Sequence, residues 1–188
     1  MKEEIGGIIM AGGMSSRMGT DKALVIFEGK RLIDYAIDLL KPFCTEIIIS
    51  TNQRQHEKLG FRTVADRYQK CGPIGGLHAA LTATNFDHNI VISCDVPFVQ
   101  SELIELLLAN TRGFDAVVPV HKCGIEPLVA VYRKEMASFF ETQLIERNYK
   151  LQQVIHSSKL NLLEVDRLVA KYPRLFDNMN SMEELNKF

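Results

Sequence analysis

Apolar residues in this chain fall into short runs, and the runs alternate between two periods. Residues 6–10, 46–50 and 90–93 are compact apolar stretches. Glu46-Ile47-Ile48-Ile49-Ser50 and Ile90-Val91-Ile92-Ser93 are the clearest, with the composition of strands buried on both faces. Residues 62–65 read as a weaker strand, and 116–120 and 128–132 as two more. Between these runs the spacing changes. Leu32, Tyr35, Ala36, Leu39 and Leu40 recur at helical intervals, and residues 75–83 read as a helix. Ser101 is placed to cap a helix reaching Ala109, and Met136, Phe140 and Leu144 mark one face of another. Repeated strand–helix alternation predicts an α/β domain with a doubly wound, mostly parallel sheet covered by helices on both faces. Ligands of such sheets bind beyond the carboxyl ends of the strands. No repeat, low-complexity tract or linker divides residues 1–188, so a single domain is expected.

The densest polar pattern follows the first strand. Residues 10–22 read Met-Ala-Gly-Gly-Met-Ser-Ser-Arg-Met-Gly-Thr-Asp-Lys. Gly12 and Gly13 let the backbone turn sharply and lie close against a ligand. Successive N–H groups in such a turn cradle phosphate oxygens. Arg17 and Lys22 add one planar cation and one point charge. The spacing matches neither G-x-x-x-x-G-K-[ST] nor G-x-G-x-x-G. A strand, a glycine turn and two spaced cations read as a triphosphate site; the competing reading is an ordinary turn with solvated charges.

Composition narrows this reading. The 188 residues are 46% hydrophobic and carry a net charge of −1, which suits one globular domain and argues against a broad nucleic-acid surface. The four cysteines, Cys44, Cys71, Cys94 and Cys123, form no C-x-x-C pair, and scattered thiols fit a reducing cytoplasm. Met1-Lys2-Glu3-Glu4 leads straight into a strand, so no signal peptide is expected, and no apolar run is long enough to span a membrane. The five histidines show no H-x-x-x-H spacing.

Further candidates stand after the other strands. Asp95, in Cys94-Asp95-Val96-Pro97, follows 90–93. A carboxylate there can hold Mg²⁺, which takes one or two carboxylates plus phosphate oxygens, or cap the following turn. Cys71-Gly72-Pro73-Ile74-Gly75-Gly76 is a second glycine-rich turn, suited either to backbone packing against a nucleotide or simply to starting a helix. Asn52 and Asp66 follow the second and third strands. An amide and a carboxylate suit a guanine edge, although both residue types also serve as plain turn formers. Ser181 and Glu184 form a capping box.

Ala11, Gly12, Gly13, Ser15, Arg17, Met18, Gly19, Asp21 and Lys22 resemble the L-A-G-G-x-S-x-R-M-G-x-D-K signature of the molybdenum cofactor guanylyltransferase family, with Met10 in place of the usual Leu. The likeness extends to Gly72-Pro73 with Gly75, to Asp95-Val96-Pro97, to Glu126-Pro127-Leu128, where Glu departs from the usual pattern, and to Phe176-Asp177-Asn178-Met179-Asn180-Ser181. It thins over residues 133–174. The resemblance implies a Rossmann-like fold of the nucleotide-diphospho-sugar transferase type. It also implies transfer of GMP from GTP to molybdopterin with release of pyrophosphate. Arg17, Lys22 and Asp95 would be catalytic, with Mg²⁺ on Asp95. Met10, Ala11, Gly12, Gly13, Lys22, Asn52, Asp66, Gly72, Pro73, Gly75 and Asp95 would bind the nucleotide. Asn178 and Asn180 would bind the pterin substrate or complete the metal shell. Transient contact with other cofactor-biosynthesis or acceptor proteins is implied as well. A cytidylyltransferase acting on the same cofactor, another small nucleotidylyltransferase, and a non-catalytic nucleotide-binding adaptor stay open as alternatives.

Overall fold

The computed structural model describes residues 4–12 and 21–179. Gly13, Ser15, Arg17, Met18, Gly19, Asn180, Ser181 and Glu184 lie outside the described residues. In chain order the strands are β1 (Ile5–Met10), β2 (Ile26–Phe27), β3 (Lys30–Arg31), β4 (Glu46–Ser50), β5 (Arg62–Val64), β6 (His88–Ser93), β7 (Ala116–His121), β8 (Gly124–Ile125), β9 (Val129–Arg133) and β10 (Leu160–Glu164). The helices are α1 (Leu32–Leu40), α2 (Pro73–Ala83), α3 (Ser101–Ala109), α4 (Met136–Ile145), α5 (Leu151–Ile155) and α6 (Asp166–Lys171).

The main sheet runs β10-β7-β9-β6-β1-β4-β5, with β8 paired to β7, while β2 and β3 form a separate small hairpin. β5, β4, β1 and β6 are parallel neighbours. β9 runs antiparallel between β6 and β7, and β10 is parallel to β7. The α/β fold with a mostly parallel sheet is therefore present, with one reversed strand inside it.

Successive side chains of a strand point to opposite faces, and both faces are covered. Ile9, Ile49 and Ile92 pack with Ile33 and Ile37 of α1 and Leu103 and Leu107 of α3. Ile8 and Val91 pack with Ile74 and Leu77 of α2 and Phe140 and Leu144 of α4. This explains why the central strands are apolar throughout rather than alternating. Each such fully buried Ile or Leu contributes about 1.5–3 kcal/mol relative to exposure, which fixes the strand ends that carry the polar groups.

Three details differ from the sequence reading. Helix α2 starts at Pro73, two residues early, because proline is pre-set for the first helical position. Ser101 is itself the first residue of α3; Gln100 occupies the cap position and makes no side-chain cap bond. β10, α5 and α6 fill the stretch 151–171, where short, half-exposed elements leave little periodicity in the sequence.

Candidate active site

The register of the sheet aligns three strand ends. Met10 pairs with Ser50 on one side and with Ser93 on the other, so the chains leaving β1, β4 and β6 emerge side by side at one edge. Backbone bonds extend the alignment past the strands: Ala11 N–H donates to Ser50 O at 2.9 Å, and Cys94 N–H donates to Met10 O at 3.1 Å. Met10 and Ala11 are buried, and their paired amide and carbonyl fix the chain leaving β1 as far as Gly12. Gly13 and Arg17 lie outside the described residues.

The chain returns at Asp21, whose Oδ1 accepts from Ala23 N–H at 3.1 Å and caps a short 3-10 turn, Lys22–Leu24. That turn presents Lys22 to the end of β6, where Nζ lies 2.7 Å from Asp95 Oδ2. Both side chains keep some exposure, 16% for Lys22 and 19% for Asp95. Ser93 Oγ donates to Asp95 Oδ1 at 2.5 Å, holding the carboxylate from the strand side. The Asp95 carboxylate is thus turned to Lys22 and Ser93, and among the described residues no hydrogen bond to it caps the following turn. Beside it the Cys94 thiol is pushed up to about 12, first by burial and then by the neighbouring carboxylate, which keeps it an unreactive core group.

These features bear on a metal. No cluster of three or more His, Cys, Asp or Glu side chains able to hold an ion occurs among the described residues. An ionised carboxylate offers about four acceptor positions, and Ser93 and Lys22 engage one on each oxygen. One carboxylate with spare lone pairs and partial exposure suits a cation that takes most of its ligands from phosphate and water, which is the habit of Mg²⁺.

The C-terminal segment closes one side of this centre. Met179 N–H donates to the backbone oxygen of Asp95 at 2.9 Å, and the Met179 side chain is buried with Phe27 and Leu32. Asn178 therefore comes to the same open cleft as Asp95, about 650 Å³ in volume, whose lining also includes Pro73, Glu126, Tyr149 and Lys150. Glu126 is held by His121, with Nε2 3.1 Å from Oε1, and the His121 ring stacks on Phe176 at 4.9 Å between centroids. Asn180 lies outside the described residues.

Asn52 and Asp66 meet on the other flank, where Asp66 N–H donates to Asn52 Oδ1 at 2.9 Å. Burial against α2 raises the Asp66 carboxyl above its ordinary value, and a hydrogen bond from Asn52 offsets part of that rise. The glycines beside it have separate reasons. Gly72 takes φ +70° in open space, a conformation that favours glycine. At Gly75 an added Cβ would stand 2.8 Å from the carbonyl oxygen of Tyr68, so this glycine lets α2 lie close against its own entry loop.

The fold thus brings Asp95, Asn178 and Pro73 to one cleft, sets Lys22 against Asp95, and places Asn52 and Asp66 beyond the carboxyl ends of β4 and β5, with Gly72 and Gly75 at the start of α2. Ser93, Glu126's partner His121, and the pair Tyr149 and Lys150 were not picked out by sequence reasoning. Only Ser93 had a local signal, its place two residues before Asp95.

Comparison with known proteins follows the same geometry. Residues 7–162 match the family model described as MobA-like NTP transferase domain. A probable molybdenum cofactor guanylyltransferase of Pelotomaculum thermopropionicum is 35% identical, over 96% of this chain and 90% of the relative. The crystal structure of molybdopterin-guanine dinucleotide biosynthesis protein A from Archaeoglobus fulgidus superposes with a TM-score of 0.80 at 28% identity, covering 97% of this chain and 95% of that one. A 4-diphosphocytidyl-2C-methyl-D-erythritol synthase from Anaerococcus prevotii shares the fold, with a TM-score of 0.72 at 12% identity over 98% and 96% of the two chains. The strand-end centre is therefore that of a nucleotidyltransferase fold, and this chain belongs to the MobA-like NTP transferase family.

Proposed function

We propose that this protein transfers GMP from GTP to the phosphate of molybdopterin, forming molybdopterin guanine dinucleotide and pyrophosphate. The observation that carries the reading is the meeting of Lys22 and Asp95 at 2.7 Å at the carboxyl edge of the sheet, beside a cleft that Asn178 also lines. The likeness to relatives named for this reaction supports it.

The acceptor's phosphate oxygen forms a new bond to the α-phosphorus of GTP, and the bond from that phosphorus to the bridging α–β oxygen breaks. The acceptor is already anionic, so the protein needs no strong general base. Its task is to hold two anions in line and to neutralise charge. Lys22, with Arg17 proposed beside it, would face charge growing on the leaving pyrophosphate. Ser93 keeps the Asp95 carboxylate turned toward the cleft. Asp95 would hold Mg²⁺, and when bound that ion supplies charge neutralisation at the phosphates. The flank of Asn52 and Asp66, with the backbone of Met10 to Gly12, Gly72, Pro73 and Gly75, would take the nucleoside. Asn178, with Asn180 proposed beside it, would take the pterin.

Among the described residues no helix is long and apolar enough to cross a membrane, and Cys44, Cys71, Cys94 and Cys123 are free thiols. These features support a cytoplasmic enzyme acting on small molecules, with contact to partner proteins confined to cofactor hand-over. The test is a nucleotide panel. Purified protein, Mg²⁺ and molybdenum cofactor are supplied with GTP, CTP or ATP, and pyrophosphate release is measured. GTP should turn over fastest. Equal or faster turnover with CTP would move the protein to a cytidylyl specificity, and no release with any nucleotide would favour an adaptor.

A further inference from the structure

His56 is fully buried, yet it sits in a mostly polar 3-10 turn, Arg54–Leu59, in which it is the one buried residue. A buried imidazole is retained where both nitrogens have work to do. Nδ1 lies 2.8 Å from Thr51 Oγ1, and Nε2 lies 2.7 Å from Asp21 Oδ2. Thr51 leads out of β4 directly before Asn52, with its N–H bonded to Val64 O at 2.8 Å. Asp21 is the residue whose other oxygen caps the turn that presents Lys22. Gln55 donates to the same Asp21 oxygen from the solvent side. The ring thus spans the gap between the strand end beside Asn52 and the short turn that Asp21 caps.

The chemistry sets the direction of the bridge. Nε2 stands in ion-pair contact with Asp21 without the in-line geometry of a hydrogen bond. A carboxylate only accepts, so the proton belongs on Nε2, and in the neutral ring Nδ1 accepts from the Thr51 hydroxyl. Asp21 is then held by the imidazole and Gln55 on one oxygen and by the Ala23 amide on the other. A carboxylate fixed at both oxygens fixes the turn it caps, and Lys22 is the first residue of that turn.

We infer that His56 is a positioning residue for the reaction: through Asp21 it locks the Lys22 turn to the strand end that carries Asn52, so that the cation stays over Asp95 at the moment of transfer. This rests on the nucleotidyl-transfer reading for its catalytic consequence, and on geometry alone for the hold on Asp21. His56 touches neither nucleotide nor acceptor in this scheme.

Two substitutions separate positioning from filling. Glutamine can place an amide nitrogen where Nε2 stands, and asparagine can reach only toward Thr51. In His56→Asn the Ala23 amide should exchange with solvent deuterium about tenfold faster, and kcat should fall about tenfold with KM for GTP changed less than threefold, since the close contact with the Asp21 carboxylate is lost and triphosphate contacts remain. His56→Gln should bring both quantities back to within about threefold of wild type, because its amide nitrogen again places a donor beside that carboxylate. If His56→Asn does not fold, Asp21→Asn cuts the same link from the exposed side and should give the same pair of changes. Unchanged exchange at Ala23 in the folded variant would overturn the inference. So would a lowered thermal midpoint in both His56 variants with wild-type kcat in the folded fraction. If wild-type protein releases no pyrophosphate with any nucleotide, it is the transfer reading that falls, and the exchange measurement still decides whether His56 holds Asp21.

Discussion

The two halves of the sheet are built differently and serve different ends. On one side, β5, β4, β1 and β6 run parallel, the inner three are apolar on both faces, and their carboxyl ends line up within one register. The loops after β4 and β6 leave deeply fixed strands, so Asn52 and Asp95 are set by packing far from the cleft, and Lys22 is held against Asp95. On the other side, β9 is reversed, β8 is a two-residue strand and β10 is half-exposed at the edge. Glu126, Tyr149 and Lys150 come to the cleft from short turns on that side. A rigid parallel edge suits a substrate whose triphosphate must be held in one geometry. A wall of short turns suits an acceptor that is bulkier and must enter and leave. The difference locates precision on one flank and access on the other.

The sharpest break in this division is at Asp95. Asp95→Ala should lower kcat/KM on the order of a thousandfold, as expected when a metal-holding group worth several kcal/mol is lost. Its thermal midpoint should stay close to wild type, since the side chain is partly exposed and its backbone bond to Met179 survives. Near-normal turnover at limiting Mg²⁺ would show that the parallel edge does not hold the metal. Next in size is Lys22→Ala. If Lys22 meets charge that builds during transfer, kcat and kcat/KM should fall together by about a hundredfold. A raised KM with kcat intact would make it a ground-state clamp for the triphosphate.

The halves also differ in how much of them a sequence shows. The strands at 46–50 and 90–93 were legible because a parallel, doubly covered strand needs an unbroken apolar run. Asp95 stood out because polar groups directly after such runs have few other duties, and Lys22 because it is one of two spaced cations that follow Gly12-Gly13. Two kinds of information were not legible. A run such as 128–132 carries no sign of direction, so the reversal of β9 depends on its neighbours. His56 looks like one polar residue among many, since its two partners come from Thr51 and from the distant Asp21. The cleft wall near Tyr149 and Lys150 was silent for a similar reason, being made by a short helix start with no periodicity of its own.

Asn178 tests the softer flank. It lies at the cleft beside Asp95 but on a segment held by Met179 and Phe176 rather than by a strand. Asn178→Ala should raise KM for the pterin acceptor about tenfold, the value of one or two polar contacts, and leave GTP binding unchanged. Among the described residues the Asn178 side chain makes one hydrogen bond, donating to Phe176 O at 3.4 Å, so the thermal midpoint should barely move. A clear fall in that midpoint with unchanged acceptor affinity would remove Asn178 from the site.

The smallest expected effect separates stability from recognition on the rigid flank. Burial raises the Asp66 carboxyl in the folded protein above its unfolded value. Stability tied to the neutral acid is therefore complete below the unfolded carboxyl range, near pH 4, and is lost as pH rises through the folded value. At neutral pH the ionised side chain is a net burden, kept for what it recognises. Asp66→Asn removes that burden, so the variant should melt about 1–2 °C above wild type at pH 7.5, a size that reflects solvent screening of a half-exposed group. The gain should shrink toward zero as pH falls below 4, where the wild-type carboxyl is neutral as well. The same change replaces two acceptors with an acceptor and a donor facing the proposed guanine edge. Preference for GTP over other nucleotides should then narrow by about tenfold, the worth of a lost bond to a charged group. Melting curves across pH and competition between GTP and CTP read the two effects on one protein. A variant that melts lower than wild type at pH 7.5 would show that the carboxylate stabilises α2 against β4, and Asp66 would then belong to the scaffold of the flank instead of to its reading of the base.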